Sequence, residues 1–206
     1  MSNPSDNADA IARTNEKRRK HKVAKDKILA RKTKTGGLPI VHTGKGKGKT
    51  TAAMGMVARC IGHGKRVGIV QFVKGKWETG ERVVLEASPG LVDIAVMGEG
   101  FTWETQDVER DRRAARAAWE KSKEMIRSAN YELVLLDEIN IVLRYDNLPL
   151  EEVIDFLRAK PADVHVICTG RNAKPELIEI ADMVTEMTEL KHHFRADFKA
   201  QAGIEF

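Results

Sequence analysis

The chain has 206 residues, 42% of them hydrophobic and 32% charged, with a formal net charge of +5. That length fits one domain with at most a small appendage, and the composition is that of a soluble globular protein. No apolar run approaches the ~20 residues that span a bilayer, and the N-terminus has no apolar signal core, so a cytoplasmic protein is expected.

Residues 1–37 hold eleven Lys/Arg against four Asp/Glu, and the rest of the chain is slightly acidic. The basic character therefore belongs to an N-terminal arm, residues 1–36, and not to the body, residues 37–206. This weakens the case for a nucleic-acid surface on the body. Residues 1–10 are small and polar and are expected to be disordered. Between 11 and 34 the apolar residues Ile11, Val23, Ile28 and Leu29 are too sparse for an independent helix. A solvated arm, or one docked on the body or on a second subunit, is expected, with a nucleic-acid arm and an active-site lid as alternatives.

Leu38 to His42 is the first predicted strand, and Thr50 to Gly62 the first helix, ended at Gly62-His63-Gly64. Between them lies VHTGKGKGKTT, residues 41–51. Strand, glycine-rich loop, Lys-Thr and helix is the order of a phosphate-binding P-loop. Gly44, Gly46 and Gly48 let the backbone turn its N–H groups inward, and the helix N-terminus adds partial positive charge. Lys49 would reach phosphate oxygens and the Thr50 hydroxyl would ligate Mg²⁺. Thr43, Lys45, Lys47 and Thr51 complete the loop. The strict pattern has glycine where Thr43 stands, and Gly44 and Gly46 supply the missing flexibility. The competing possibilities are a basic turn, or a tail end that touches nucleic acid.

Further strands are predicted at Arg66 to Phe72, Val92 to Met97, Glu132 to Leu136, Val164 to Cys168 and Met183 to Met187. Helices are predicted at Glu78 to Ala87, over 104–129, at Leu150 to Ala159 with Pro149 in its first turn, and at Pro175 to Ile180. The long helix carries Val108, Ala115, Trp119, Ser122, Ile126 and Ala129 at three- and four-residue spacing. Apolar strands separated by helices predict an α/β fold, a mostly parallel sheet of about six strands covered on both faces. Ligands then bind at the carboxyl ends of the strands. Cys60 and Cys168 are expected to be two buried thiols.

Leu133-Val134-Leu135-Leu136-Asp137-Glu138 is a buried strand ending in two carboxylates, the expected partner of a P-loop. Asp137 or Glu138 would hold the Mg²⁺ that bridges phosphates, while Asp137 could also cap a helix. Lys74, leaving the second strand, and Arg171, leaving the fifth, either touch phosphate or are ordinary loop cations. His192 and His193 lack partners at metal-ligand spacing. Phe101 and Trp103 stand in a glycine-flanked loop, GEGFTWE, which suggests a flat apolar ligand. No Asn-Lys-x-Asp for guanine and no arginine-rich kinase lid is present.

Together TGKGKGKTTAA, QFVKG, GEGFTWETQ, LVLLDEIN, TGRNA, ADMVTEM and the terminal KHHF and AQAGIEF closely resemble the P-loop type ATP:corrinoid adenosyltransferases. The resemblance runs from about Gly37 to Phe206. It implies a RecA-like fold, a homodimer, and Mg²⁺ or Mn²⁺ with ATP as co-substrate. The implied reaction moves the 5′-deoxyadenosyl group of ATP to cobalt(I) of a corrinoid and releases triphosphate. By matching position Lys49, Thr50 and Glu138 are phosphate and metal residues, and Phe101 and Trp103 lie against the corrin face. The departure at Thr43 is shared by that family. An electron donor such as a flavoprotein is a candidate partner. The alternative function is a RecA-like ATPase acting on nucleic acid through the basic arm.

Overall fold

The computed structural model describes residues 4–73, 80–97 and 107–205, with side chains given from residue 11 onward. The chain divides into two units, Met1–Thr35 and Gly36–Phe206. Helix α1 (Pro4–Ala30) makes up most of the first. Over residues 4–30 this corrects two expectations, disorder at the N-terminus and the lack of an independent helix beyond it. Counting apolar positions was the wrong test. Between Pro4 and Gly36 there is no glycine or proline, and Ala, Lys and Arg dominate, so helix propensity supports the segment. Pro4 occupies the first helical position, where its missing N–H costs nothing. Glu16 and Lys20 form an i,i+4 pair at 2.9 Å. Ile11, Val23, Ile28 and Leu29 are all exposed.

The second unit is built on six strands: β1 (Pro39–Thr43), β2 (Val67–Gln71), β3 (Val92–Val96), β4 (Leu133–Asp137), β5 (His165–Thr169) and β6 (Met183–Glu186). Their spatial order is β3-β2-β4-β5-β1-β6, and every pairing is parallel. The described helices are α2 (Lys49–Gly62), α3 (Gly80–Glu86), α4 (Val108–Arg127), α5 (Ile139–Arg144), α6 (Leu150–Arg158) and α7 (Pro175–Ile180), with a 3₁₀ turn at His193–Ala196.

Strand β4 shows why both faces are covered. Leu133 and Leu135 point to one side, into a cluster with Ile40, Ile69 and Ile167 and with Ala53, Met54, Val57 and Leu85 of α2 and α3. Val134 and Leu136 point to the other, with Val41, Val70 and Val166 and with Trp119, Val142, Leu157 and Leu177 of α4 to α7. A period of two in an all-apolar strand requires a helix layer on each side. Trp119 is the largest fully buried side chain, and its indole N–H donates to Glu152 at 2.8 Å.

Three details depart from the sequence pattern. Strand β6, Met-Val-Thr-Glu, has all four of its residues exposed where it ends the sheet. In the long helix Val108 is exposed in the first turn, and Ala129 lies past the end with a positive φ of 51°. Cys168 is buried, which pushes its thiol up to about 12, but Cys60 is only half-buried near the end of α2; both are free.

Candidate active site

The parallel register lines up Thr43, Gln71, Asp137 and Thr169 at one edge of the sheet. The phosphate loop leaves from Thr43. Gly44 and Gly48 have φ of 96° and 101°, in the left-handed region that glycine enters without strain. Close approach adds a second constraint. A Cβ on Gly44 would stand 2.4 Å from the Met187 carbonyl oxygen, and one on Gly46 2.8 Å from it. The Gly46 N–H donates to that oxygen at 2.7 Å, and the Met187 N–H donates to the Thr43 carbonyl at 2.9 Å. The end of β6 therefore braces the loop from behind. Gly48 precedes α2 with no side-chain cap, so the first N–H groups of a 14-residue helix are left for an anion.

Thr43 has its own task where a glycine is the rule. It is buried, and its hydroxyl accepts the Ala173 N–H at 2.9 Å. That bond ties the phosphate loop to the loop after β5, which carries Arg171.

Lys49 opens α2, is 7% exposed, and donates from Nζ to the Gly46 carbonyl at 2.6 Å. Burial lowers its pKa; Glu138 opposes this, while Arg171 and Lys47 add to it. Arg171 and Lys47 thus stand within electrostatic reach of Lys49. Thr50 Oγ1 donates to Asp137 Oδ1 at 2.9 Å, and Thr169 Oγ1 donates to the same oxygen at 2.7 Å. Thr169 Oγ1 also accepts the Glu138 N–H at 3.0 Å. Asp137 is pushed upward by burial, against hydrogen bonds from Thr169, Thr50 and Gln71.

Glu138 has φ of 62° and is the residue that precedes α5, with no side-chain cap. The cap considered for Asp137 is therefore not made. Asp137 instead serves the two threonines. Burial, and then the neighbouring Asp137, raise the Glu138 carboxyl to about 7, against Lys49 and Arg171. Its Oε2 is buried and has no hydrogen-bond partner among the described residues. Gly170, at φ 129°, keeps that space open, since a Cβ there would stand 2.9 Å from Oε2. Beneath, Asn140 Nδ2 donates to the Gly170 carbonyl at 3.1 Å, and His42 Nδ1 lies 3.2 Å from the Lys49 carbonyl.

Of the residues singled out in the sequence, Gly44, Gly46, Gly48, Lys49, Thr50, Asp137, Glu138 and Arg171 come together, with Thr43 as a brace. Lys45 and Thr51 are exposed, and Lys47 pairs with Glu205. Lys74, Phe101 and Trp103 lie outside the described residues. His192 and His193 stack with ring centroids 4.7 Å apart, and His193 Nε2 lies 3.0 Å from Glu205 Oε1. Thr169, Gly170, Asn140, Met187 and Glu205 were not singled out. Thr169 and Gly170 sat in the quoted TGRNA segment, but their contact with the acidic pair needs the strand order.

A parallel six-stranded sheet whose first strand runs through a glycine loop into a Lys-Thr helix, opposite a β4 acidic pair, defines a nucleotide-binding protein of the P-loop NTPase-like fold. Residues 35–206 match the family "ATP:corrinoid adenosyltransferase BtuR/CobO/CobP", and the chain belongs to it. A corrinoid adenosyltransferase of a Sinorhizobium species is 56% identical over 189 residues, which cover 91% of this chain and 88% of the relative. One from Pseudomonas aeruginosa is 47% identical over 194 residues, 94% of this chain and 96% of the relative. Corrinoid adenosyltransferase CobA of Salmonella typhimurium is 46% identical over 194 residues, 94% and 98%.

Proposed function

We propose that the chain transfers the 5′-deoxyadenosyl group of ATP to cobalt(I) of a corrinoid and releases triphosphate, in adenosylcobalamin biosynthesis or salvage. The carrying observation is a P-loop whose lysine, threonine and facing acidic pair form one buried cluster, in a chain matched to this family from residue 35 to 206. Nothing in the fold or the comparisons favours the nucleic-acid ATPase.

The residues fit the chemistry. Cobalt(I) is the nucleophile and C5′ the electrophile, so the Co–C bond forms as the C5′–O bond breaks. The electron pair leaves on the α-phosphate oxygen. Lys49, Arg171 and the inward N–H groups at the start of α2 hold the triphosphate and neutralise the charge that grows on it. Because these groups are already in place, little reorganisation is needed at the moment of transfer. Lys74 is assigned to phosphate from its place after the second strand, and Phe101 and Trp103 to the corrin face by resemblance in sequence.

The donor set also fits Mg²⁺. Thr50 Oγ1, Asp137 and the unpartnered Glu138 Oε2 are hard oxygens gathered at the phosphate loop. No group of three or more His, Cys, Asp or Glu suited to a metal occurs among the described residues, so phosphate oxygens and water would complete the shell. When bound, the ion would add positive charge at the bridging phosphate oxygens. The proposal extends to a cytoplasmic homodimer with a transferase domain at 37–206 and to a reducing partner such as a flavoprotein. These parts rest on the family resemblance.

The test is to mix the chain with MgATP and chemically reduced cobalamin. A light-sensitive cobalt–carbon product with one triphosphate released per turnover is expected. ATP consumption without that product would refute the proposal.

A further inference from the structure

The chain leaves β6 against Gly46 and returns to the phosphate loop at Glu205. The Glu205 carboxylate forms an ion pair with Lys47, and His193 approaches the same carboxylate. The hydrogen bond from Lys47 holds the Glu205 carboxyl below its ordinary range. Buried apolar side chains do not fasten the segment. Among the described residues none after Met187 is buried. Leu190 is 89% exposed and Ile204 78%, and Phe194 and Phe198 are exposed as well. The tie is therefore ionic, and an ionic tie at a surface is the kind that another anion can replace.

The lysine at stake belongs to the glycine loop, and Lys49 feels its charge. A triphosphate at that loop brings several negative charges where the tail offers one carboxylate. Glu205 is largely covered but Lys47 is half-exposed, so phosphates can reach the lysine, and several charge-assisted contacts to phosphate outweigh those to a single carboxylate. We propose that Glu205 is a built-in competitor of the triphosphate: it neutralises Lys47 while the loop is empty and yields the lysine when phosphates enter. Nucleotide binding then frees the C-terminal turn. Gly203, Ile204 and Glu205 of that turn wall a cleft of about 440 Å³ whose other side includes Thr51 and Met54 of α2 and Leu85 of α3. Release of the turn opens this cleft. The inference rests on the phosphate-loop assignment above.

Hydrogen–deuterium exchange of the full chain tests it without mutation. The Ile204 and Glu205 N–H groups both donate to the Gln201 carbonyl, at 3.1 and 2.9 Å, and report on the turn. MgATP and inorganic triphosphate should each speed exchange over residues 201–205 several-fold, and adenosine should not. Glu205→Gln should show fast exchange with no ligand and bind inorganic triphosphate about two- to fivefold more tightly. Glu205→Asp should keep wild-type behaviour. Exchange that is unchanged or slowed by triphosphate, or weaker triphosphate binding by Glu205→Gln, overturns the inference. The two claims also fail separately. Formation of alkylcobalamin with a tail indifferent to triphosphate defeats this inference alone. A tail that responds in a chain that makes no alkylcobalamin defeats only the transferase assignment.

Discussion

Replacing Thr169 by valine removes one oxygen and almost no volume, yet two bonds end on that oxygen. The hydroxyl donates to Asp137 Oδ1 at 2.7 Å and accepts the Glu138 N–H at 3.0 Å, and the residue is fully buried. A hydrogen bond to a charged acceptor contributes about 1.5–3 kcal/mol, and a stranded buried N–H costs about 1–3 kcal/mol. Together these predict a loss near ~3–4 kcal/mol, or roughly 6–16 °C in Tm for a chain of this size. Asp137 keeps only part of its support and turns less reliably toward Thr50, so Mg²⁺-dependent ATP affinity should fall about tenfold, the equivalent of ~1.4 kcal/mol. Thr169→Ser is the control. It keeps the oxygen and loses a methyl, so it should cost about 1 kcal/mol in stability while MgATP affinity stays within twofold. Thermal unfolding and calorimetric titration with MgATP measure both quantities. Wild-type stability and MgATP affinity in Thr169→Val would show that Asp137 is not held in the way described.

Glu138→Gln should be more stable than wild type at high pH. The folded carboxyl sits near 7, above its unfolded value, so the folded state binds more protons between about pH 4.5 and 7 and this group's contribution falls as pH rises through that window. Denaturant unfolding of the ligand-free protein should give Glu138→Gln an advantage of roughly 1–3 kcal/mol at pH 8 that vanishes near pH 4; a constant difference would contradict the burial of Oε2. Lys49→Ala should fold normally and lose about 10²-fold in turnover with saturating MgATP and cobalt(I), or ~3 kcal/mol of transition-state stabilisation; near wild-type turnover would remove Lys49 from the site. Phe101→Ala and Trp103→Ala should bind ATP normally, lose most activity when cobalt(II) is reduced enzymatically, and lose much less when cobalt(I) is supplied. Neither ring can ligate cobalt, so both suit a place beside a metal that must shed an axial ligand; equal loss in the two assays with a clear drop in stability would argue for packing instead.

Local patterns were readable and distant ones were not. The glycines, Lys49 and Thr50 announce a phosphate loop because its chemistry is written in consecutive residues. The acidic pair after β4 was recognisable for the same reason. Thr169 was invisible as a partner of that pair, because β5 lies beside β4 only after the sheet has assembled. The edge position of β6 was equally hidden, since it is set by the strand order of the assembled sheet. Helix α1 was misjudged for a different reason. Periodicity reports what a helix packs against, whereas the support for α1 that can be read in the sequence is helix propensity.

The bond from Ala173 to Thr43 and the brace from Met187 bear on whether the phosphate loop is portable. Its shape is specified partly by residues more than a hundred positions downstream, on two other strand ends. Grafted into a foreign parallel sheet, the segment would carry its glycines but leave its scaffolding behind. A glycine placed at Thr43 to restore the common pattern would likewise cut the tether to the Arg171 loop. In this protein the shape of the loop depends on its surroundings, so a redesign of one has to include the other.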